Sequence, residues 1–131
     1  PDMAHQLFAK ALNDKNIEQL FDMYADNCVM VLGSGDRVKG RKATRQVLTK
    51  MAEAIVRVRV ETIYQVRSGD IVLLRSKFHS IYINPQGKKV DYISSGIEIL
   101  EQQKNGTWQF ILDHHRGGAN AQMAISPNDA V

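Results

Sequence analysis

The chain has 131 residues, 44% hydrophobic and 24% charged, with a formal net charge of +3, which is the balance of one globular domain large enough for a real core. Its longest apolar runs, such as Ile71–Leu74, are far too short to span a bilayer, so no membrane partner is expected. Its lysines and arginines are scattered rather than gathered into a basic stripe, which argues against nucleic acid, and its single cysteine, Cys28, cannot form an intrachain disulfide.

Ala4, Leu7, Phe8, Ala11 and Leu12 recur at helical spacing and predict a first helix over Ala4–Leu12, stopped by Asn13-Asp14-Lys15-Asn16. Asn16 suits the N-cap of a second helix with Ile17, Leu20, Phe21 and Tyr24 on one face, ended by Tyr24-Ala25-Asp26-Asn27. Cys28–Leu32 reads as a short strand. Gly33-Ser34-Gly35-Asp36 reads as a tight turn into Arg37-Val38-Lys39; without a Gly-Lys-Ser/Thr it is no phosphate loop. After Gly40, Arg41–Ala54 returns to helical spacing through Ala43, Val47, Leu48 and Met51. The remainder is sheet. Ile55–Val66 alternates valines with charge, and the alternation slips near Thr62, which predicts a bulge. Ile71–Ile83 and Val90–Gln102 are long strands about a hairpin turn at Asn84-Pro85-Gln86-Gly87. A turn at Lys104–Gly106 leads to a last strand with Trp108, Phe110 and Leu112 at period two, running into Asp113, His114 and His115.

Helices followed by a meandering antiparallel sheet make one α+β domain over 1–131, with 119–131 as a C-terminal tail. The tail is small and polar with one proline, and its composition predicts disorder unless it lies on a neighbouring surface such as a second subunit. No charged-then-apolar leader precedes the first helical pattern, and with one cysteine the cytoplasm is the expected compartment. The two long central strands carry apolar residues on both faces: Leu74, Phe78 and Tyr82 on one, Leu73, Ile81 and Ile83 on the other. Helices cover one face of such a sheet, and a second copy of the chain is the simplest cover for the other, so a homodimer through the sheet is expected.

Several residues could carry chemistry. His79 and Asp91 lie on the two arms of the Asn84–Gly87 hairpin. If Ile83 pairs with Gly87, they face each other across the strands, with Arg75 opposite Ser95 on the same face; if it pairs with Lys88, residue 79 faces residue 92 instead. A carboxylate beside an imidazole raises its basicity and fixes its tautomer, as a general base requires, although many such pairs are only surface pairs. His114 shares parity with Trp108, Phe110 and Leu112 and is expected inside, with Asp113 and His115 outside unless the strand bulges. Tyr24, Tyr92, Trp108 and Phe110, with Phe8, Phe21, Met30, Met51 and Phe78, could line an apolar pocket or simply fill the core. The spacing carries no zinc signature, and no metal is expected.

The helical pair ending in Tyr24-Ala25-Asp26-Asn27, the short strand, Val38-Lys39-Gly40-Arg41 entering a helix, the long sheet and the closing Gly-x-Trp strand together resemble the nuclear transport factor 2 superfamily, in its ketosteroid isomerase-like and SnoaL-like branch. The last segment, with Trp108-Gln109, His114 and Gly117, is also similar to the association domain of calmodulin-dependent kinases. The resemblance implies a cystatin-like, cone-shaped fold: a curved antiparallel sheet wrapped around N-terminal helices, with a pocket at the open end, usually dimeric. It also implies that steroid isomerisation is not the reaction. The position of the isomerase base falls on Leu32 and that of its oxyanion tyrosine on Phe8, which can neither abstract a proton nor donate to an enolate; Asp91 loosely matches the second oxyanion donor. The resulting expectation is a small-molecule pocket protein, either a cofactor-independent acid/base enzyme of isomerase or cyclase type or a non-catalytic binder. Its ligand would be a small apolar carbonyl or carboxylate compound. His79, Asp91 and His114 are the candidate acid/base groups, Arg75 is the anion anchor, and Tyr24, Tyr92, Ser95, Trp108 and Phe110 are binding residues. The alternative is an association module in which dimerisation is the function.

Overall fold

The structure, a computed structural model, describes residues 1–118; the expected tail, 119–131, lies outside the described residues. Three helices, α1 (Ala4–Asn13), α2 (Ile17–Asp22) and α3 (Arg41–Ala54), pack against one curved sheet. Its strands are β1 (Tyr24–Val31), β2 (Arg37–Lys39), β3 (Ile55–Ser68), β4 (Ile71–Ile83), β5 (Lys89–Gln102) and β6 (Trp108–His114). They lie in the order β2-β1-β6-β5-β4-β3, with β1 parallel to β6 and every other neighbouring pair antiparallel. This is the expected α+β architecture.

Local chemistry sets the element ends. Asn16 caps α2, its side-chain oxygen accepting from the Gln19 N–H at 3.1 Å. Gly87 and Gly106, both in the left-handed region with φ of 78° and 87°, close the β4–β5 and β5–β6 turns. The helical pair is fastened to the sheet by the side chains of Asn13, at the end of α1, and Lys15, in the loop that follows. The amide of Asn13 bonds both backbone groups of Val58, at 2.8 and 2.9 Å, and Lys15 Nζ donates to the Ile55 carbonyl at 2.7 Å. The core between the layers holds Leu12, Leu20, Tyr24, Met30, Leu48, Val72, Leu74, Leu100 and Phe110.

Four details depart from the sequence reading. Tyr24 does not close α2 but opens β1, where it pairs with Phe110 of β6; an irregularity between Tyr24 and Val29 lets β1 start four residues earlier than expected. Leu7 is 43% exposed, and His5 takes the buried place on α1 instead. The β4–β5 register pairs Ile83 with Lys89, two residues along from the Ile83–Gly87 alternative. The bulge expected near Thr62 is present, between Thr62 and Tyr64. A further bulge in β6, at Ile111, was not legible: the ladder steps from Ile99↔Leu112 to Leu100↔Phe110 and leaves Ile111 unpaired. One extra residue reverses the facing of everything after it.

Candidate acid–base cavity

On β4 the even-numbered residues face the helices: Val72, Leu74 and Ser76 are buried, while Ser76, Phe78, Ser80 and Tyr82 line a cavity of about 420 Å³. The helices supply His5, Phe8, Leu12 and Met51, β3 supplies Val58 and Val60, and β5 and β6 supply Tyr92, Glu98, Phe110 and Asp113. The walls are largely apolar and aromatic. Phe8 meets Phe110 edge-on, with centroids 6.4 Å apart, and Phe78 lies 5.9 Å from Tyr92. Such a volume suits a ligand of modest size.

Into these walls are set two buried carboxyl groups, Glu98 and Asp113, which are direct partners across β5 and β6. Burial of a carboxyl is costly unless it is hydrogen-bonded, and both are. Glu98 is bonded through Oε1 to His5 Nε2, and its Oε2 accepts from Ser76 Oγ at 2.8 Å. His5 Nδ1 lies 2.6 Å from Thr62 Oγ1, so with the proton on Nε2 both ring nitrogens are satisfied. Asp113 Oδ2 accepts from the Tyr24 hydroxyl at 2.6 Å. Burial, and then the charge of Asp113, push the Tyr24 pKa well above 10, which keeps the phenol protonated and donating. Asp113 Oδ1 accepts no hydrogen bond from the described residues; the Nδ1 of His115 lies 3.6 Å from it, beyond hydrogen-bond reach. The Nε2 of His115 is buried without a partner among the described residues. Gly96 leaves room for this arrangement, since a Cβ there would lie 2.6 Å from Glu98 Oε2 and 2.9 Å from Ser76 Oγ.

The residues singled out from sequence divide between the two faces of the sheet. Tyr92 and Phe110 line the cavity, and Tyr24 lies behind it, 5.1 Å from the Phe110 ring and bonded to Asp113. Trp108 is half-buried at the start of β6 with the Arg67 guanidinium 5.0 Å over its ring, and does not line the cavity. His79 and Asp91 do form a pair, Nε2 to Oδ1 at 2.5 Å, but diagonally, because their direct partners are Ile93 and Ile81. They sit on the face away from the helices, as odd-numbered positions of β4 and β5. A two-residue shift of register preserves parity, which is why they still meet. Arg75 and Ser95 share that face, both close to Gly118, whose carbonyl accepts from Arg75 Nη2 at 3.2 Å. His114 lies there too, opposite Ile97, because the Ile111 bulge turns it out and brings Asp113 and His115 in.

The polar cavity groups that sequence reasoning missed are His5, Ser76, Ser80, Tyr82, Glu98 and Arg116, and it placed Asp113 and His115 outside. A signal existed for two of them. His5 is three residues before Phe8 and seven before Leu12, inside the buried stripe of α1. Glu98 interrupts Ile97-Glu98-Ile99-Leu100, a charge at a core-facing step of an apolar strand. Among the described residues no group of three His, Cys, Asp or Glu side chains converges as a metal ion would need, and no helix is long and apolar enough to cross a membrane.

The sequence profile of a SnoaL-like domain matches residues 4–110. No curated protein matches the chain in sequence. Among solved structures, a ketosteroid isomerase-like protein from Erwinia carotovora atroseptica superposes with a TM-score of 0.75 at 19% identity, covering 85% of this chain and 88% of that one. A proposed calcium/calmodulin-dependent protein kinase type II association domain from Thiobacillus denitrificans gives 0.71 at 17%, over 87% and 91% of the two chains. A proposed dehydratase of the NTF2-like family from Streptomyces avermitilis gives 0.71 at 14%, over 86% and 88%. At these identities the structures speak for a shared fold, and the profile, spanning most of the chain, is specific: the protein belongs to the SnoaL-like domain family.

Proposed function

We propose that the protein binds a small carbonyl-bearing molecule in its cavity and moves a proton on it, with Asp113 as the proton acceptor. The observation that carries this reading is the Asp113 carboxyl: buried on the cavity wall, held through Oδ2 by a phenol that stays protonated, with Oδ1 left open. A carboxyl fixed at one oxygen and open at the other, in a largely apolar enclosure, is what proton abstraction beside a carbonyl needs. His115 beside it offers a second group to carry the proton onward. Glu98, by contrast, has both oxygens engaged, and its cluster with His5 and Ser76 serves as a rigid wall. The experiment is deuterium exchange into 2-tetralone, a bicyclic ketone with acidic C–H groups, followed by NMR in heavy water. The wild type should accelerate exchange, and Asp113→Asn should lower the rate about 100-fold while leaving ketone binding intact. Wild-type exchange no faster than buffer would leave a binding protein rather than an enzyme.

We also propose that the protein is a homodimer through the sheet face away from the helices. Ile93, Val66 and Tyr64 are exposed there at 62%, 58% and 47%. Arg75 Nε and His114 Nδ1 are buried beneath that face without partners among the described residues. A second copy would cover the apolar surface.

A further inference from the structure

Resting on the same cavity, the geometry points to an organic anion as the ligand, bound with its acidic group at the mouth under Arg116 and its apolar body inward. Arg116 lines the cavity yet is exposed, so it stands at the rim. Its guanidinium carbon lies 5.6 Å from the ring centroid of Tyr92, itself a cavity wall. Stacking on a ring orients a guanidinium while leaving its N–H edge free to donate. Gly33 lies against the same side chain: a Cβ there would stand 3.4 Å from Arg116 Cδ, an ordinary contact distance.

Arg116 makes no ion pair among the described residues, whereas Arg41, Arg45 and Arg59 are each paired with a carboxylate. Burial then grades along the chain. The Asp113 side chain is 7% exposed and that of His115 20%, and Arg116 lies outermost. The interior presents two carboxyl groups and the rim one fixed positive charge. An anionic head is disfavoured beside Glu98 and Asp113 and favoured beside Arg116, so the ligand has one orientation, head out. His115 and Arg116 both line the cavity. The apolar body of the ligand therefore reaches inward past His115 towards Asp113, the deepest of the three. The net charge of +3 adds long-range attraction for such a ligand.

The test uses two fluorescent probes of similar shape on the full chain: anionic 1-anilinonaphthalene-8-sulfonate and neutral N-phenyl-1-naphthylamine. Arg116→Gln should weaken the anionic probe about tenfold, the loss of a charge-assisted contact, and leave the neutral probe unchanged. Arg116→Lys should recover part of the loss, and added salt should weaken the anionic probe more on the wild type than on Arg116→Gln. Equal binding of the anionic probe by wild type and Arg116→Gln overturns the assignment while leaving the cavity as the binding site. A cavity-filling variant, Ser80→Phe, separates the other failure. If both probes still bind a folded Ser80→Phe protein as tightly as the wild type, they sit elsewhere, and the cavity reading falls together with this one.

Discussion

Two buried acids of an unusual kind, the thiol of Cys28 and the phenol of Tyr24, lie close enough to Asp113 to feel its charge. Burial, with Asp113 adding, pushes the Cys28 pKa from 9.0 up to about 12. Below pH 9 the thiol is protonated in both folded and unfolded chains, and its contribution is fully present. Between 9 and 12 the unfolded chain gives up the proton first, so stability falls as pH rises, by up to about 4 kcal/mol at the top of that window. Tyr24 has the same sign but starts above 10. Urea unfolding at intervals from pH 8 to 10 should therefore show a steeper decline for wild type than for Cys28→Ala; parallel curves would mean the thiol is not the source. At neutral pH, Tyr24→Phe removes the donor to Asp113 and should cost about 1–3 kcal/mol by the same measurement. If the two proteins unfold at the same urea concentration, the bond carries no stability.

Strands position these groups, and their irregularities decide the outcome. β6 enters with Trp108 and Phe110 at one parity and leaves with Asp113 and His115 on the cavity side, because Ile111 is an extra residue in the ladder. Without it, the alternation would send His114 inward, as the sequence suggests. β5 solves a different problem. Gly96 lies opposite Ser76 and next but one to Glu98, and its lack of a side chain is what lets the carboxyl and hydroxyl meet. Gly96→Ala should displace Glu98 from Ser76 and destabilise the protein by about 1–3 kcal/mol, the usual range for overpacking. The His5 imidazole resonances in an NMR spectrum at fixed pH should move with it, since Glu98 is their hydrogen-bond partner. Unchanged resonances would mean the cluster tolerates the methyl.

At the scale of the whole molecule, the sheet has two unlike faces. One is filled by α1, α2 and α3 except where the cavity opens; the other presents Val66, Tyr64 and Ile93 to solvent. For a homodimer through that face, light scattering at micromolar concentration should give twice the chain mass. Ile93→Asp or Leu73→Asp should shift it towards monomer, since each puts a charge into an apolar contact. A monomeric wild type would remove the dimer. Because Phe78 and Tyr92 face the cavity and not this surface, substitutions there should alter probe binding and leave mass unchanged.

The sequence by itself determined the element order, the α+β class and the resemblance to the family, because these rest on periodicity and turn chemistry read a few residues at a time. It left the facing of His79 and Asp91 to the register, and the two share a face because the observed register differs by two residues from the one that opposes them, which preserves parity. The tertiary structure alone decided which face is enclosed and which side chains meet in it. His5 and Glu98 are 93 positions apart, and Tyr24 and Asp113 are 89 apart. No local pattern encodes such contacts, which exist only when α1 and β1 are laid against the far strands. The facing of Asp113, His114 and His115 turned on one bulge, a backbone event set by the pairing of β6 with its neighbours on both sides. That single residue moved the acid–base groups from one side of the sheet to the other, while the elements stayed where their sequence put them.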